Sequence, residues 1–188
     1  MRRVSLALLH FPVLDRGGDT VTTAMTNLDL HDMSRSARTF GLEAMFVVHP
    51  IEAQRELAAR IRDHWVLGSG RRRIPDRATA LELVRIVPLL EDAIADLGGP
   101  DAVELWTTAA AARGRETVGY HDARARLESD DPRHVLLLFG TGWGLAGEVV
   151  DKAHAHLAPV AAARDTGFNH LSVRAACAIV LDRLLGHR

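Results

Sequence analysis

The 188-residue chain carries 23 Lys+Arg against 24 Asp+Glu, a formal net charge of −1 with His neutral, and 47% of its residues are apolar. This balance suits a globular chain with its own core and excludes strong disorder, a fibrous repeat, a disulfide scaffold and a uniformly basic nucleic-acid domain, while leaving room for a local basic patch. No run of about 18 uncharged apolar residues occurs, so no membrane span is expected, and the single Cys177, in a small apolar run, reads as a packed thiol in a reducing, cytoplasmic setting.

Arg2-Arg3 followed by Val4–Leu9 has the charge-then-apolar order of a signal peptide, but His10, Pro12 and Asp15 interrupt it, and it reads as a buried first strand. A turn at Gly17-Gly18 follows. Thr26–Phe40 reads as a helix stopped by Gly41. Ala44–His49 is an expected strand, and Pro50 opens a helix through Trp65. Gly68-Ser69-Gly70-Arg71-Arg72-Arg73-Ile74-Pro75-Asp76-Arg77 is glycine-broken and reads as a loop, either solvated or contacting phosphate. Next come a short strand at Leu83–Val87, a helix at Pro88–Leu97, a strand at Ala102–Thr107 and a helix at His121–Glu128. Val135–Phe139 is the continuous apolar run of a strand buried on both faces. After the Gly140–Gly144 loop, Leu145–Ala153 begins a helix and Ala155–Val160 is a short strand. Asn169 can cap a last helix that runs to Leu185 and closes at Gly186. Strands alternating with helices imply an α/β fold with a mostly parallel sheet.

Three stretches carry chemistry. In Leu136-Leu137-Leu138-Phe139-Gly140-Thr141-Gly142-Trp143-Gly144-Leu145, a buried strand runs into glycines at alternate positions, where the backbone can approach a ligand closely and offer its N–H groups. It is neither a dinucleotide fingerprint, because Leu145 stands where the third glycine belongs, nor a P-loop, because Lys152 lacks the flanking Gly and Ser/Thr. A nucleotide-like ligand and a tight structural turn both remain open on this loop alone. Gly167-Phe168-Asn169-His170-Leu171-Ser172-Val173-Arg174 gathers polar residues at a helix start, as a ligand site or as a plain cap. On the Thr26–Phe40 helix, Asp29 and His31 flank one turn. His31 shares a face with Arg35, and Arg35 with Arg38.

Taken in order, these stretches resemble the α/β-knot, or SPOUT, RNA methyltransferases, in particular a small bacterial branch labelled tRNA (guanine-N1)-methyltransferase-like. The resemblance is carried by Ala7-Leu8-Leu9-His10-Phe11-Pro12-Val13, Thr22-Thr23-Ala24-Met25-Thr26-Asn27-Leu28-Asp29-Leu30-His31-Asp32, Asp63-His64-Trp65, the Leu137–Leu145 stretch and Asn169–Arg174. It implies a single α/β domain over residues 1–188, with a mostly parallel sheet, helices on both faces and a carboxyl-terminal trefoil knot. It also implies S-adenosylmethionine bound bent in that knot, a homodimer and an RNA substrate, tRNA or rRNA. By position, the resemblance assigns the cofactor to Thr107, Thr108 and Ala109; to Phe139, Gly140, Thr141, Gly142, Trp143 and Gly144; to Leu157, Pro159 and Val160; and to Asn169, His170, Leu171, Ser172 and Val173. Main-chain groups at Gly140, Gly142, Val160 and Leu171 would meet adenine and ribose.

A sister branch carries, in its first motif, an asparagine six residues before an arginine and a glycine six after it, which makes the matching Arg35 the catalytic candidate. Arg35 and Gly41 match, and Asp29 takes the asparagine place. The guanine-specific branch keeps a catalytic aspartate in a carboxyl-terminal domain that residues 1–188 do not include.

Methyl transfer from a sulfonium is an in-line displacement, so the protein mainly orients two reactants, an effect worth about 7–11 kcal/mol. Asp29 and His31 are the expected proton acceptors, His31 titrating nearest neutrality. Arg35 is expected to orient a phosphate or polarise the target base, and Arg38, Arg71, Arg72 and Arg73 to hold RNA backbone. Trp143 either covers the cofactor or stacks on a base. His154-x-His156 is too little for a metal site, and none is expected. The rival reading is a non-catalytic dimeric module that keeps the pocket to bind S-adenosylmethionine or RNA. A nucleotide hydrolase is opposed by the missing P-loop and the missing G-x-S-x-G elbow.

Overall fold

Val4–Leu9 forms β1, buried along its whole length, and its neighbour in the sheet comes from far along the chain. In the computed structural model, which describes residues 1–108 and 114–187, β1 pairs in parallel with β7 (His134–Gly140), from Val4 opposite Val135 to Leu9 opposite Gly140. Ala109, expected at a cofactor loop, lies outside the described residues. On one side the sheet continues through β4 (Met45–Val48) and β5 (Val84–Val87), on the other through β6 (Val103–Thr107) and β8 (Ala155–His156). The order is β5-β4-β1-β7-β6-β8, with every pair parallel.

Alternate side chains feed two separate cores. Leu6, Leu8, Met45, Val47, Leu137 and Phe139 point to one face, and Ala7, Leu9, Phe46, Val48, Leu136 and Leu138 to the other. Burial on both faces is why these strands read as unbroken apolar runs. The first face is covered by α1 (Asn27–Thr39), α2 (Glu52–Val66), α4 (Pro75–Leu81), α6 (Tyr120–Glu128) and α8 (Val173–Leu185). The second is covered by α5 (Leu90–Asp96) and α7 (Gly147–Asp151), through Leu90, Ala93, Val149 and Val150. The α/β class with a parallel sheet and helices on both faces is therefore observed.

Helix α1 shows how local sequence sets these elements. Thr26 caps its start by accepting from the Asp29 N–H at 3.2 Å, and Leu30, Met33 and Ala37 supply the buried stripe. Its end is a Schellman turn, with Leu42 N–H donating to Ala37 O at 3.0 Å and Gly41 N–H to Arg38 O at 3.3 Å. Gly41 sits at φ +74°, the left-handed conformation that this turn requires.

Several elements differ from the sequence reading. Helix α2 starts at Glu52 because Arg55 Nη1 holds His49 O and Pro50 O, at 2.9 and 2.6 Å, and keeps the chain extended through Ile51. The arginine stretch is not an open loop but a helical turn, α3 (Gly70–Arg73), that leads into α4. Gly70 is there because a Cβ would come within 2.6 Å of the Trp65 ring. The expected Ala155–Val160 strand pairs with β6 only over Ala155–His156, where β6 ends, and Leu157 then bridges in parallel to Val118. Leu145 is not yet helical: it bridges to Val13, so α7 starts two residues later. Ser172, not Asn169, caps α8, its hydroxyl accepting from Ala175 N–H at 3.2 Å. Around the expected Gly17-Gly18 turn the chain also forms a small antiparallel hairpin of β2 (Val13–Leu14) and β3 (Thr20–Val21).

This order places the site. From β1 the chain builds outward to β4 and β5, whereas β7, β6 and β8 fill the other side. The reversal lies between β1 and β7, and ligands of open parallel sheets bind at the carboxyl ends of such strands.

Candidate active site

A cleft of about 720 Å³ opens at the carboxyl ends of β1 and β7, within the size range of small-molecule sites. Its floor and one wall are Phe139 to Gly144. Pro159, Val160 and the Asn169–Val173 segment form the facing wall, with Ala176 and Val180 of α8 below. Thr23, Ala24, Thr26 and Asp29 close it from the amino-terminal side, and Thr108 and Tyr120 from the other.

The glycine loop is pinned by the chain's first residues. Thr141 N–H donates to Leu9 O at 3.3 Å, Trp143 N–H to Leu14 O at 2.8 Å and Gly144 N–H to Thr141 O at 3.1 Å. Gly142 N–H has no acceptor among the described residues, which leaves it a donor for a ligand. Only glycine fits there: φ is +58°, and a Cβ would stand 2.7 Å from Leu14 O. At the rim, the Trp143 ring, about half exposed, lies 5.7 Å from His170, and Phe168 lies 6.4 Å from the same imidazole.

The polar wall centres on Asp29. Its Oδ1 accepts from Arg174 Nη1 at 2.7 Å and its Oδ2 from the Thr26 hydroxyl at 2.6 Å. Arg174 also approaches Asp32 at 3.4 Å, which ties α8 to α1. Arg35 lies outside the cleft. With Asp32, Ser36, Thr39 and Arg174 it lines an adjoining depression of about 510 Å³, and Ser172 borders both spaces.

His31 borders neither. Its ring meets Trp65 edge-on at 5.6 Å, and its Nδ1 is buried with no hydrogen-bond partner among the described residues. Burial first, then the Arg77 and Arg35 charges, push its pKa below the usual value against the opposing pull of Asp32. The structure thus brings Asp29 to the cleft and Arg35 beside it, and sends His31 toward α2.

Of the other residues singled out from sequence, Thr108, Phe139 to Gly144, Pro159, Val160 and Asn169 to Val173 line the cleft. Thr107 and Leu157 are buried behind it, with Thr107 Oγ1 2.7 Å from His156 Nδ1. Arg38, Arg72 and Arg73 are exposed, and Arg71 pairs with Glu82 at 3.2 Å. Sequence reasoning missed Thr23, Ala24, Thr26, Tyr120, Ala176, Val180 and the role of Arg174. Helical spacing from Val173 through Ala176 to Val180 is a signal that could have found two of them. Among the described residues, no helix is long and apolar enough to cross a membrane, and no three His, Cys, Asp or Glu gather as metal ligands.

Comparison with known proteins gives the family and the fold. A family model described as SAM-dependent RNA methyltransferase matches residues 3–186. The tRNA (guanine-N(1)-)-methyltransferases of Oleidesulfovibrio alaskensis and Nitratidesulfovibrio vulgaris are 41% and 42% identical over 185 residues, which is 98% of this chain. The chain spans 42% of the length of each of these curated relatives. In fold it is similar to the SpoU methyltransferase AviRb from Streptomyces viridochromogenes, with a TM-score of 0.56 at 14% identity over 97% of this chain and 58% of that one.

Proposed function

The chain belongs to the family of SAM-dependent RNA methyltransferases, and on that premise we propose that it transfers the methyl group of S-adenosylmethionine to an RNA base or ribose, in tRNA or rRNA. One observation carries the reading: three segments distant in sequence, Phe139 to Gly144, Pro159-Val160 and Asn169 to Val173, build a single cleft of about 720 Å³. That cleft pairs an apolar lining with a Gly142 amide that has no acceptor among the described residues. Such a wall fits an adenosine: Phe139, Val160, Leu171 and Val180 offer apolar surface, and main-chain groups offer the few polar contacts.

When bound, the cofactor supplies a methyl group on a sulfonium, already strongly electrophilic. The chain's residues bind, orient and exclude water. Gly142, Val160 and Leu171 hold the cofactor by their main chain, and Trp143 covers it. Asp29 receives the hydrogen bond, and where needed the proton, of the attacking N–H or O–H. Arg174 and Thr26 fix its two oxygens, each of which keeps a further lone pair for the substrate. Arg35 binds phosphate in the adjoining depression, and Arg38, Arg72 and Arg73 extend the contact along the RNA backbone. His31 packs α1 onto Trp65, and proton transfer is left to Asp29.

The same reading includes one domain, a trefoil-knotted crossing, a homodimer and a cytoplasmic location. The return of the chain to β8 beside β6, and then to α8 across α1, supports the threaded route. Exposed Leu28, Phe168 and Leu171 support a second subunit on that side.

The test is labelled methyl transfer to total RNA from a strain that lacks the gene, with S-adenosylhomocysteine binding measured in parallel. The product at about 100 times its dissociation constant should stabilise the fold by about 2.7 kcal/mol. Arg35→Ala should lower transfer about a hundredfold with that binding intact. Absence of any shift with S-adenosylhomocysteine overturns the reading.

A further inference from the structure

Behind the glycine loop, buried polar groups form one chain of hydrogen bonds. His10 Nδ1 lies 3.1 Å from Thr23 Oγ1, which contacts Thr141 Oγ1, and the Thr141 hydroxyl donates to Leu9 O at 3.1 Å. A hydroxyl has a single proton to give. Thr141 spends its proton on Leu9 O, so Thr23 must donate to Thr141 and has only lone pairs to offer His10. His10 must then donate from Nδ1. The reverse direction loses the bond to Leu9 O and leaves an Nε2–H buried with no acceptor, because His10 Nε2 has no partner among the described residues. An orphaned donor is the rarer and costlier fault.

A second histidine closes the other end. His49 Nε2 donates to Thr23 O at 3.0 Å, and His49 Nδ1 accepts from Ile51 N–H at 3.2 Å. The two rings therefore hold opposite tautomers, stacked with centroids 5.1 Å apart. Burial, with the neighbouring His49 adding to it against Asp29, lowers the His10 pKa to about 4, and burial lowers that of His49.

We propose that His10 and Thr23 are positioning residues of the cofactor cleft, with His10 fixed as the neutral Nδ1–H tautomer so that the two threonine hydroxyls dock the Thr141–Gly142 turn onto the end of β1. The docked turn is what keeps Gly142 at its positive φ, with its amide unclaimed in the cleft wall. A corollary concerns specificity. Both hydroxyl protons are used internally, so Thr23 and Thr141 present only lone pairs to a ligand and favour donor groups on it.

The binding arm of the test rests on the S-adenosylmethionine reading, and the spectroscopic arm does not. Imidazole ¹⁵N shifts of the full chain report the His10 tautomer directly, and Nδ1–H is expected with or without ligand. Calorimetric titration with S-adenosylhomocysteine then compares variants. His10→Asn, which returns a donor near the Nδ1 position, should bind within about twofold of the parent chain. His10→Gln, which places its donor near Nε2, and Thr23→Val should bind at least tenfold more weakly, and Thr23→Ser should be restored. An Nε2–H tautomer, unchanged binding by Thr23→Val, or His10→Asn binding as weakly as His10→Gln each overturns the proposal. Should the parent chain fail to bind S-adenosylhomocysteine, the cofactor reading falls and the tautomer alone decides the hydrogen-bond chain.

Discussion

At the amino-terminal edge of the sheet, charges close on one another. Arg2 Nη2 lies 2.5 Å from Glu104 Oε2, Arg2 Nε donates to Arg133 O at 3.1 Å, and Arg133 pairs with Asp131 at 2.7 Å. The hydrogen bonds from Arg133 hold the Asp131 carboxyl well below the ordinary range. His134 Nε2 meets Ser5 Oγ at 3.0 Å, both residues fully buried. At the carboxyl-terminal edge the buried polar groups are uncharged hydroxyls and imidazoles that hold backbone turns. The Asp29–Arg174 ion pair there, at 2.7 Å, stands in a cleft wall. Residues 161–172, which supply part of that wall, are exposed throughout. The same apolar strands thus end in a sealed edge and an open one. The charged groups of the first face one another across the strand ends, and the polar groups of the second shape a surface for something else.

The largest effect that should separate the edges is at Glu104. Its carboxylate faces Arg2, whose side chain is 3% exposed. Glu104→Ala leaves that guanidinium buried with one partner fewer, a loss of about 3–5 kcal/mol for such pairs. Urea unfolding should read this loss while the dissociation constant for S-adenosylhomocysteine stays unchanged. A matching loss of affinity would show that the two edges are not independent.

Acid should act next. The unfolded His10 titrates near 6.5 and the folded one near 4, so between these values the unfolded chain binds the extra proton. Stability therefore falls as pH drops through that window, by up to about 3 kcal/mol from this residue. His49 at the open edge and His134 at the sealed edge are also lowered by burial and add in the same direction. Unfolding free energies at pH 7 and near pH 4.5 should show the decline, and His10→Asn should flatten most but not all of it. An unchanged slope in that variant would transfer the acid sensitivity to the sealed edge.

The two edges also differ in how far the sequence disclosed them. The apolar runs of β1, β4 and β7 and the Gly41 stop of α1 were legible because burial on two faces and a left-handed turn each leave a local mark. The Phe139–Gly144 and Asn169–Val173 segments were legible by resemblance, and both line the cleft. What escaped depended on partners far along the chain. Nothing near Thr23 announces Thr141, and nothing near Arg174 announces Asp29. Gly70 looked like a loop former, but its reason is the Trp65 ring lying against it. Asn169 and Ser172 are equally good caps on paper, and the course of the preceding segment chose Ser172.

The smallest of these effects on stability should fall on the residue that gives the open edge its shape. Gly142→Ala places a methyl group at φ +58°, where L residues are disfavoured by about 1–2 kcal/mol. The same methyl would stand 2.7 Å from Leu14 O, the acceptor for Trp143 N–H, so the turn can relieve the clash only by releasing its strap. The loss of global stability should stay near 1–2 kcal/mol, because the strands beneath are untouched. Binding of S-adenosylhomocysteine should fall at least tenfold, because the displaced amide is the one that the cleft offers. Glu104→Ala should therefore lose stability and keep affinity, and Gly142→Ala should keep most stability and lose affinity. A Gly142→Ala variant that binds normally would mean that the turn tolerates the shift and that the cleft does not depend on this amide.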